Sequence, residues 1–169
     1  FHHNAAYRKI CEARGLTPIV VEHWAQIPAV PTAAFKELEL TCLAPGERST
    51  VFHSSGTMGQ KPGRHFHSPE SLGLYEASLI PWFLKNVLQN CGLRIADCGL
   101  VILTPPPPQA PHSSLVHMFE TIRQKLGAPG KAFVGKLADD GSWTLDIAAV
   151  TDLLSHRCQT PDARPLLLL

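Results

Sequence analysis

The sequence is short of charge, of paired cysteines and of long apolar runs, and each shortage excludes something. Charged residues make up only 17% and the formal net charge is +1. That balance argues against a broad nucleic-acid or anionic-membrane surface. No stretch approaches the roughly 18 uninterrupted apolar residues of a membrane-spanning helix, so no membrane span is expected. The five cysteines, Cys11, Cys42, Cys91, Cys98 and Cys158, include no C-x-x-C pair. Their odd number and irregular spacing read as reduced thiols of a cytoplasmic protein, with a Cys91–Cys98 disulfide as the less favoured alternative. Two serine-nucleophile patterns, G-x-S-x-G and S-x-x-K, are both missing. The start, Phe1-His2-His3-Asn4, has neither an initiator Met nor a signal-peptide core.

What is present is a globular composition, 44% apolar over 169 residues, enough for one domain with a proper core. The most informative stretch runs from His53 to His65. Ser49 to His53 is β-branched and apolar enough to form a strand, and it empties into Ser54-Ser55-Gly56-Thr57-Met58-Gly59-Gln60-Lys61-Pro62-Gly63-Arg64. Glycines let a backbone turn its N–H groups inward, and Ser and Thr hydroxyls add donors without bulk. Lys61 and Arg64 place positive charge at the rim, where phosphate oxygens would sit. These residues predict a phosphate-binding loop; the plainer alternative is a Gly/Ser-rich surface turn. Neither the Walker A spacing nor the dinucleotide fingerprint G-x-G-x-x-G fits, since Lys61 and Met58 stand where each requires glycine.

The segment S-S-G-T-M-G-Q-K-P resembles the signature loop of adenylate-forming enzymes, [ST]-S-G-[ST]-T-G-x-P-K. The chain is most similar to the acyl-protein synthetase (LuxE-like) branch. That branch shares the S-S-G-T-x-G loop followed by a basic residue and His, here Gly63-Arg64-His65-Phe66-His67. The upstream I-P-x-V-P-x-x-x-F-K segment, Ile27 through Phe35-Lys36, fits as well, as do Asn4 to Arg8 and Ser113-Ser114-Leu115. Met58 replaces the usual second Thr, and Lys61-Pro62 reverses the usual Pro-Lys order. The resemblance implies ATP and Mg²⁺ as cofactors and a carboxylic, chiefly fatty, acid as substrate. The acid is activated as an acyl-adenylate and the acyl group then passed to a thiol or an acceptor protein. It implies Ser54, Ser55, Gly56, Thr57 and Gly59 as phosphate contacts, with Lys61 and Arg64 as charge partners. No catalytic residue and no metal ligand is assigned. The competing expectation is a non-catalytic scaffold or interaction module that keeps the fold.

Along the rest of the chain, Asn4 predicts an N-cap for a helix carrying Tyr7, Ile10 and Cys11, closed by Gly15. Leu16–Val21 is apolar, with Pro18 against a central strand. Ala25–Pro31 reads as a connector, Phe35–Leu43 as extended or a single turn, and Ala44–Glu47 as a turn. A long helix is expected from Pro69 to near Asn90, kinked or split at Pro81 and stopped at Gly92. Leu100–Leu103 reads as a strand covered on both faces, and Pro105–Pro108 as an extended, solvated polyproline segment. Ser114 predicts a cap for a helix with Leu115, Met118, Phe119, Ile122 and Leu126 on one stripe, ended by Gly127. Then follow a strand at Ala132–Val134, a turn at Asp139–Gly141, a helix with Ile147, Val150, Leu153 and Leu154, and a strand over Leu166–Leu169. Alternating strands and helices predict an α/β fold. We expect a mostly parallel sheet with flanking helices, part of the large N-terminal domain of an adenylate-forming enzyme. The closing run Arg164-Pro165-Leu166 to Leu169 suggests that residues 1–169 are one domain from the N-terminal part of a longer polypeptide.

Other clusters carry less. His65 and His67 would share a face on a strand and so could chelate a metal, but no third ligand pattern accompanies them. A phosphate-side or structural role suits them better. Ser114 lies between His112 and His117, yet at a helix start it is first a cap. Trp24, Trp82 and Trp143 read as core or interface residues.

Overall fold

The computed structural model describes residues 1–54, 61–89, 99–128, 132–158 and 166–169. The chain divides into two compact units, residues 1–72 and 73–169.

In the first unit, helix α1 spans Ala5–Glu12 and Asn4 caps it as expected. The Tyr7 N–H donates to Asn4 Oδ1 at 2.8 Å, and Gly15 takes a positive φ of 66° just past the helix end. Tyr7 Oη donates to the Pro28 carbonyl at 3.0 Å, tying the helix to the proline-marked connector. That connector holds one 3-10 turn, Trp24–Gln26. A single helical turn, α2 (Ala34–Glu37), and a second 3-10 turn, Pro45–Glu47, lead to strand β1, Thr50–His53. Strand β2 is Arg64–His67, a segment with no strand expectation of its own. It pairs with β1 antiparallel, Val51 opposite Phe66 and His53 opposite Arg64. Phe52, on β1, and Cys11, on α1, are buried apolar side chains of this unit, and Pro28 is buried as well.

The second unit has a larger core, built from Phe83, Leu88, Leu100, Ile102, Phe119, Ile122 and Ala132. Helix α3 begins at Pro69 and runs to Phe83, with Pro81 inside it. Pro81 has no N–H to bond back to the Ala77 carbonyl. The winding then changes to a wider π-helical turn over Leu84–Leu88. Asn90 and Gly92, expected to end this helix, lie outside the described residues. Helix α4, Ser114–Lys125, is capped by Ser113 and not by Ser114: the Val116 N–H donates to Ser113 Oγ at 3.2 Å. Its inward stripe is Val116, Phe119 and Ile122, while Leu115 stays 42% exposed. Gly127, with φ of 62°, ends it as expected.

The expected large, mostly parallel sheet does not form. Among the described residues the strands make three two-stranded sheets: β1 with β2, β3 (Gly99–Val101) with β6 (Leu166–Leu168), and β4 (Gly135–Leu137) with β5 (Trp143–Leu145). Strand β3 (Gly99–Val101) pairs in parallel with β6 (Leu166–Leu168), and Ile102 makes one parallel bridge to Phe133. The pairing reaches the Leu103 N–H, which donates to the Leu169 carbonyl at 2.8 Å, and after Thr104 the run Pro105–Pro108 has no N–H to carry a ladder further. Nor is that run an extended solvated rod. Pro105 is buried, and bonds from Gln109 N–H to Pro106 O and from Ala110 N–H to Pro107 O fold it into turns. Strands β4 (Gly135–Leu137) and β5 (Trp143–Leu145) form an antiparallel hairpin turned at Gly141, φ 80°. Asp146 then caps helix α5, Ile147–Cys158, through the Ala149 N–H at 3.1 Å. The three tryptophans are not core: Trp24, Trp82 and Trp143 are 76%, 61% and 44% exposed.

Gly135 sits where no side chain fits. A Cβ there would lie 2.3 Å from the Thr104 carbonyl carbon, inside the backbone of the neighbouring segment. Gly135→Ala is therefore expected to cost about 3 kcal/mol, as forced overpacking against backbone does, read by denaturant unfolding. A second prediction concerns acid. The Lys136 ammonium, 2.7 Å away, and the Ala149 N–H hold the Asp146 carboxyl below its usual range. A carboxyl depressed in the folded state stabilises above its unfolded pKa and loses that effect as pH falls through the folded one. Asp146→Asn keeps the cap and removes the charge. It should flatten the acid limb of the stability profile, as measured by thermal unfolding across pH 2–7.

Candidate functional site

The bend between β1 and β2 is closed at its base by a reciprocal pair. The Ser54 N–H donates to the Gly63 carbonyl at 2.9 Å, and the Gly63 N–H donates to Ser54 Oγ at 2.8 Å. The first bond extends the ladder one step past His53–Arg64. The second uses the hydroxyl only as acceptor, so its own proton remains to donate elsewhere. Gly63 is buried, and a Cβ on it would come 3.0 Å from Ser54 Oγ and 3.4 Å from the Phe35 carbonyl oxygen. Glycine is what lets the two sides of the mouth close.

Ser54, expected as a phosphate contact, stands at the base of the bend. Lys61 is exposed just inside it. Arg64 opens β2 on the other side, its side chain 36% exposed. Ser55, Gly56, Thr57 and Gly59 lie outside the described residues, as does Met58. From the expected set the structure therefore sets Ser54 beside the start of β2 at Arg64, with Lys61 exposed two residues before Gly63. The loop returns on an antiparallel strand and does not feed a helix N-terminus. A Walker-type strand–loop–helix is excluded on topology as well as on spacing.

Side-chain alternation assigns the two faces of the hairpin. Arg64 and Phe66 share one with Val51 and His53; His65 and His67 share the other with Phe52 and Thr50. On the first face the Arg48 and Arg64 guanidinium carbons lie 4.6 and 5.6 Å from the centroid of the Phe66 ring. Arg48 is fixed from two sides: Nε donates to the Leu43 carbonyl at 3.1 Å, and Nη2 contacts Glu39 Oε1 at 2.7 Å. That hydrogen bond from Arg48, joined by the charges of Arg48 and Arg64, holds the Glu39 carboxyl below the usual range. Arg64 Nη1 stands 3.9 Å from Glu39 Oε2. On the other face His65 stacks on Phe35, centroids 5.2 Å apart and planes 22° from parallel. His67 lies 5.3 Å from the Phe52 ring, and its Nδ1 is 3.2 Å from Ser71 Oγ.

Glu39, Arg48 and Phe66 are the members of this site that sequence reasoning missed. Only one signal pointed that way: Arg64 and Phe66 are two apart on what proves to be a strand. The site lies within the first unit, as does a separate apolar cavity of about 260 Å³ lined by Tyr7, Cys11, Leu16, Val21 and Pro28 among others. In the second unit Glu76 Oε1 and His117 Nε2 pair at 2.8 Å, joining α3 to α4. Ser114, from the expected Ser–His neighbourhood, is placed in the first turn of α4.

No protein-family model, curated protein or solved structure matches this chain.

The Ser54 hydroxyl should matter for the hairpin even without ligand. Ser54→Ala removes the acceptor of a part-buried N–H and is expected to cost about 1 kcal/mol, read by denaturant unfolding. Ser54→Thr, which keeps the hydroxyl, should cost less.

Proposed function

We propose that the bend from Ser54 to Gly63 holds the phosphates of a nucleotide. In this reading a carboxylate attacks the α-phosphate of ATP, with Mg²⁺, to give an acyl-adenylate and release pyrophosphate, and the acyl group then passes to a thiol with release of AMP and the thiol proton. The observation that carries the reading is the doubly bonded Ser54–Gly63 base of a segment rich in Gly and hydroxyls, with Arg64 next in the chain and an exposed Lys61 two residues before Gly63. A base fixed by two hydrogen bonds holds Ser54 in place beside Arg64, and donors held in place are what stabilising charge that develops on a transferring phosphoryl group requires. Cations and hydroxyls at the mouth match a polyphosphate. Mg²⁺ would enter on the phosphates themselves, as it commonly does, since Glu39 at this mouth is already engaged by Arg48. The resemblance of the loop to that of acyl-protein synthetases supplies the choice of reaction; the large parallel sheet expected with it is no part of the proposal.

A second reading, a scaffold or interaction module, is favoured by Met58 in place of a hydroxyl and by the reversed Lys61-Pro62. Titration of the chain with MgATP in a calorimeter, followed by carboxylate-dependent ATP–pyrophosphate exchange over a panel of fatty acids, separates the two. Saturable MgATP binding is expected, weakened about tenfold by Lys61→Ala, the usual size of a charge-assisted phosphate contact. Absence of binding removes the nucleotide reading; binding without exchange under any acid favours the module.

A further inference from the structure

The charges on the Phe66 face do not balance. Two guanidinium groups lie over one ring and share a single carboxylate, Glu39. Arg48 is held by short contacts, but Arg64 is not. Its Nη1 is 3.9 Å from Glu39, beyond hydrogen-bond range, and its Nε is closed off from solvent with no partner among the described residues. Buried polar groups are nearly always satisfied, so an orphaned guanidinium N–H marks a place where an acceptor belongs. Two planar forks over an apolar ring, with one positive charge in excess, form a receptor for a tetrahedral oxyanion. Arg64 also follows Gly63 directly, which places this face at the mouth of the bend.

We infer that Arg48 and Arg64 form an anion subsite over Phe66 that takes a phosphate group of the nucleotide, and that Glu39 fills it until the phosphate arrives. The inference rests on the phosphate-loop reading and adds to it a second arginine and a competing carboxylate. Glu39 and a phosphate cannot occupy the same forks together, because like charges at that distance repel. Glu39 is exposed and attached at a non-helical position, so it can swing into water when displaced. A multiply charged polyphosphate displaces it; a singly charged anion, no stronger a partner than Glu39 itself, does not. The device thus selects for charge number, and Glu39 sets its threshold.

The test titrates the wild-type chain and Glu39→Gln with inorganic tripolyphosphate, and in parallel with orthophosphate, at fixed low ionic strength and neutral pH. Glu39→Gln is expected to bind tripolyphosphate about two- to fivefold more tightly, the scale of an exposed ion pair. Orthophosphate should bind far more weakly to both proteins. Arg48→Ala should weaken tripolyphosphate binding and reduce its salt dependence. Arg48→Lys should not restore it, because an ammonium lacks the planar fork. Thermal unfolding checks that each variant is folded, and Glu39→Ala, which removes the carboxylate without leaving an amide, must move affinity in the same direction. If the wild type binds tripolyphosphate and neither Glu39 variant binds it more tightly, the inference is overturned while the loop reading stands. If the wild type binds no polyphosphate, the loop reading fails and the subsite falls with it.

Discussion

Ser54 and Gly63 hold each other twice, and the arrangement of the first unit's site follows from that. The backbone bond fixes the register of β1 against β2, and register decides which side chains share a face. A slip by one residue would carry Arg64 and Phe66 away from Arg48 and Glu39 and bring His65 in their place. The hydroxyl bond crowds position 63, where a Cβ would come 3.0 Å from Ser54 Oγ, so the mouth closes most easily around glycine. Two short hydrogen bonds thereby settle both where the bend opens and which cations stand beside it.

The second unit is governed by a different limit, the shortness of its strands. Leu100, Val101 and Ile102 are buried and apolar enough for the centre of a wide sheet. The prolines after Thr104 remove the donors that a longer ladder would need. The core is completed by helices instead: Phe83 and Leu88 from one side of the sequence, Phe119 and Ile122 from α4. Gly135 permits a backbone-to-backbone approach at Thr104 that replaces further strand pairing.

Local chemistry was legible in the sequence wherever one residue type decides the outcome. Asn4 as a cap, Gly15 and Gly127 as helix ends, the turn at Gly141 and the strand before the Ser/Gly bend all read correctly. Where neighbours compete, the reading slipped. Ser113 and Ser114 are equally able caps, and Ser113 takes the role, accepting from the Val116 N–H. Strand β2, Arg-His-Phe-His, looks polar in isolation and becomes a strand only by pairing with β1. Strands β4 and β5 are three residues each, too short for an alternation to show beside the helix that follows. The sheet was overestimated because counting strands says nothing of how far each one can extend. The Glu39–Arg48–Arg64 cluster was invisible for another reason: its members meet through tertiary structure, and no spacing encodes that.

The π-helical turn after Pro81 has a consequence for the core. In a regular α-helix two residues five apart point about 140° away from each other around the axis, so Phe83 and Leu88 could not both face inward. Closing bonds over five residues instead of four brings such positions nearly into line, and both side chains are 4% exposed or less. The widened coil works as a phase shifter: it resets the rotational setting of everything downstream by part of a turn. Excising one residue between Leu84 and Asn86 would restore ordinary pitch and leave the two buried anchors four apart, on one face of a regular α-helix.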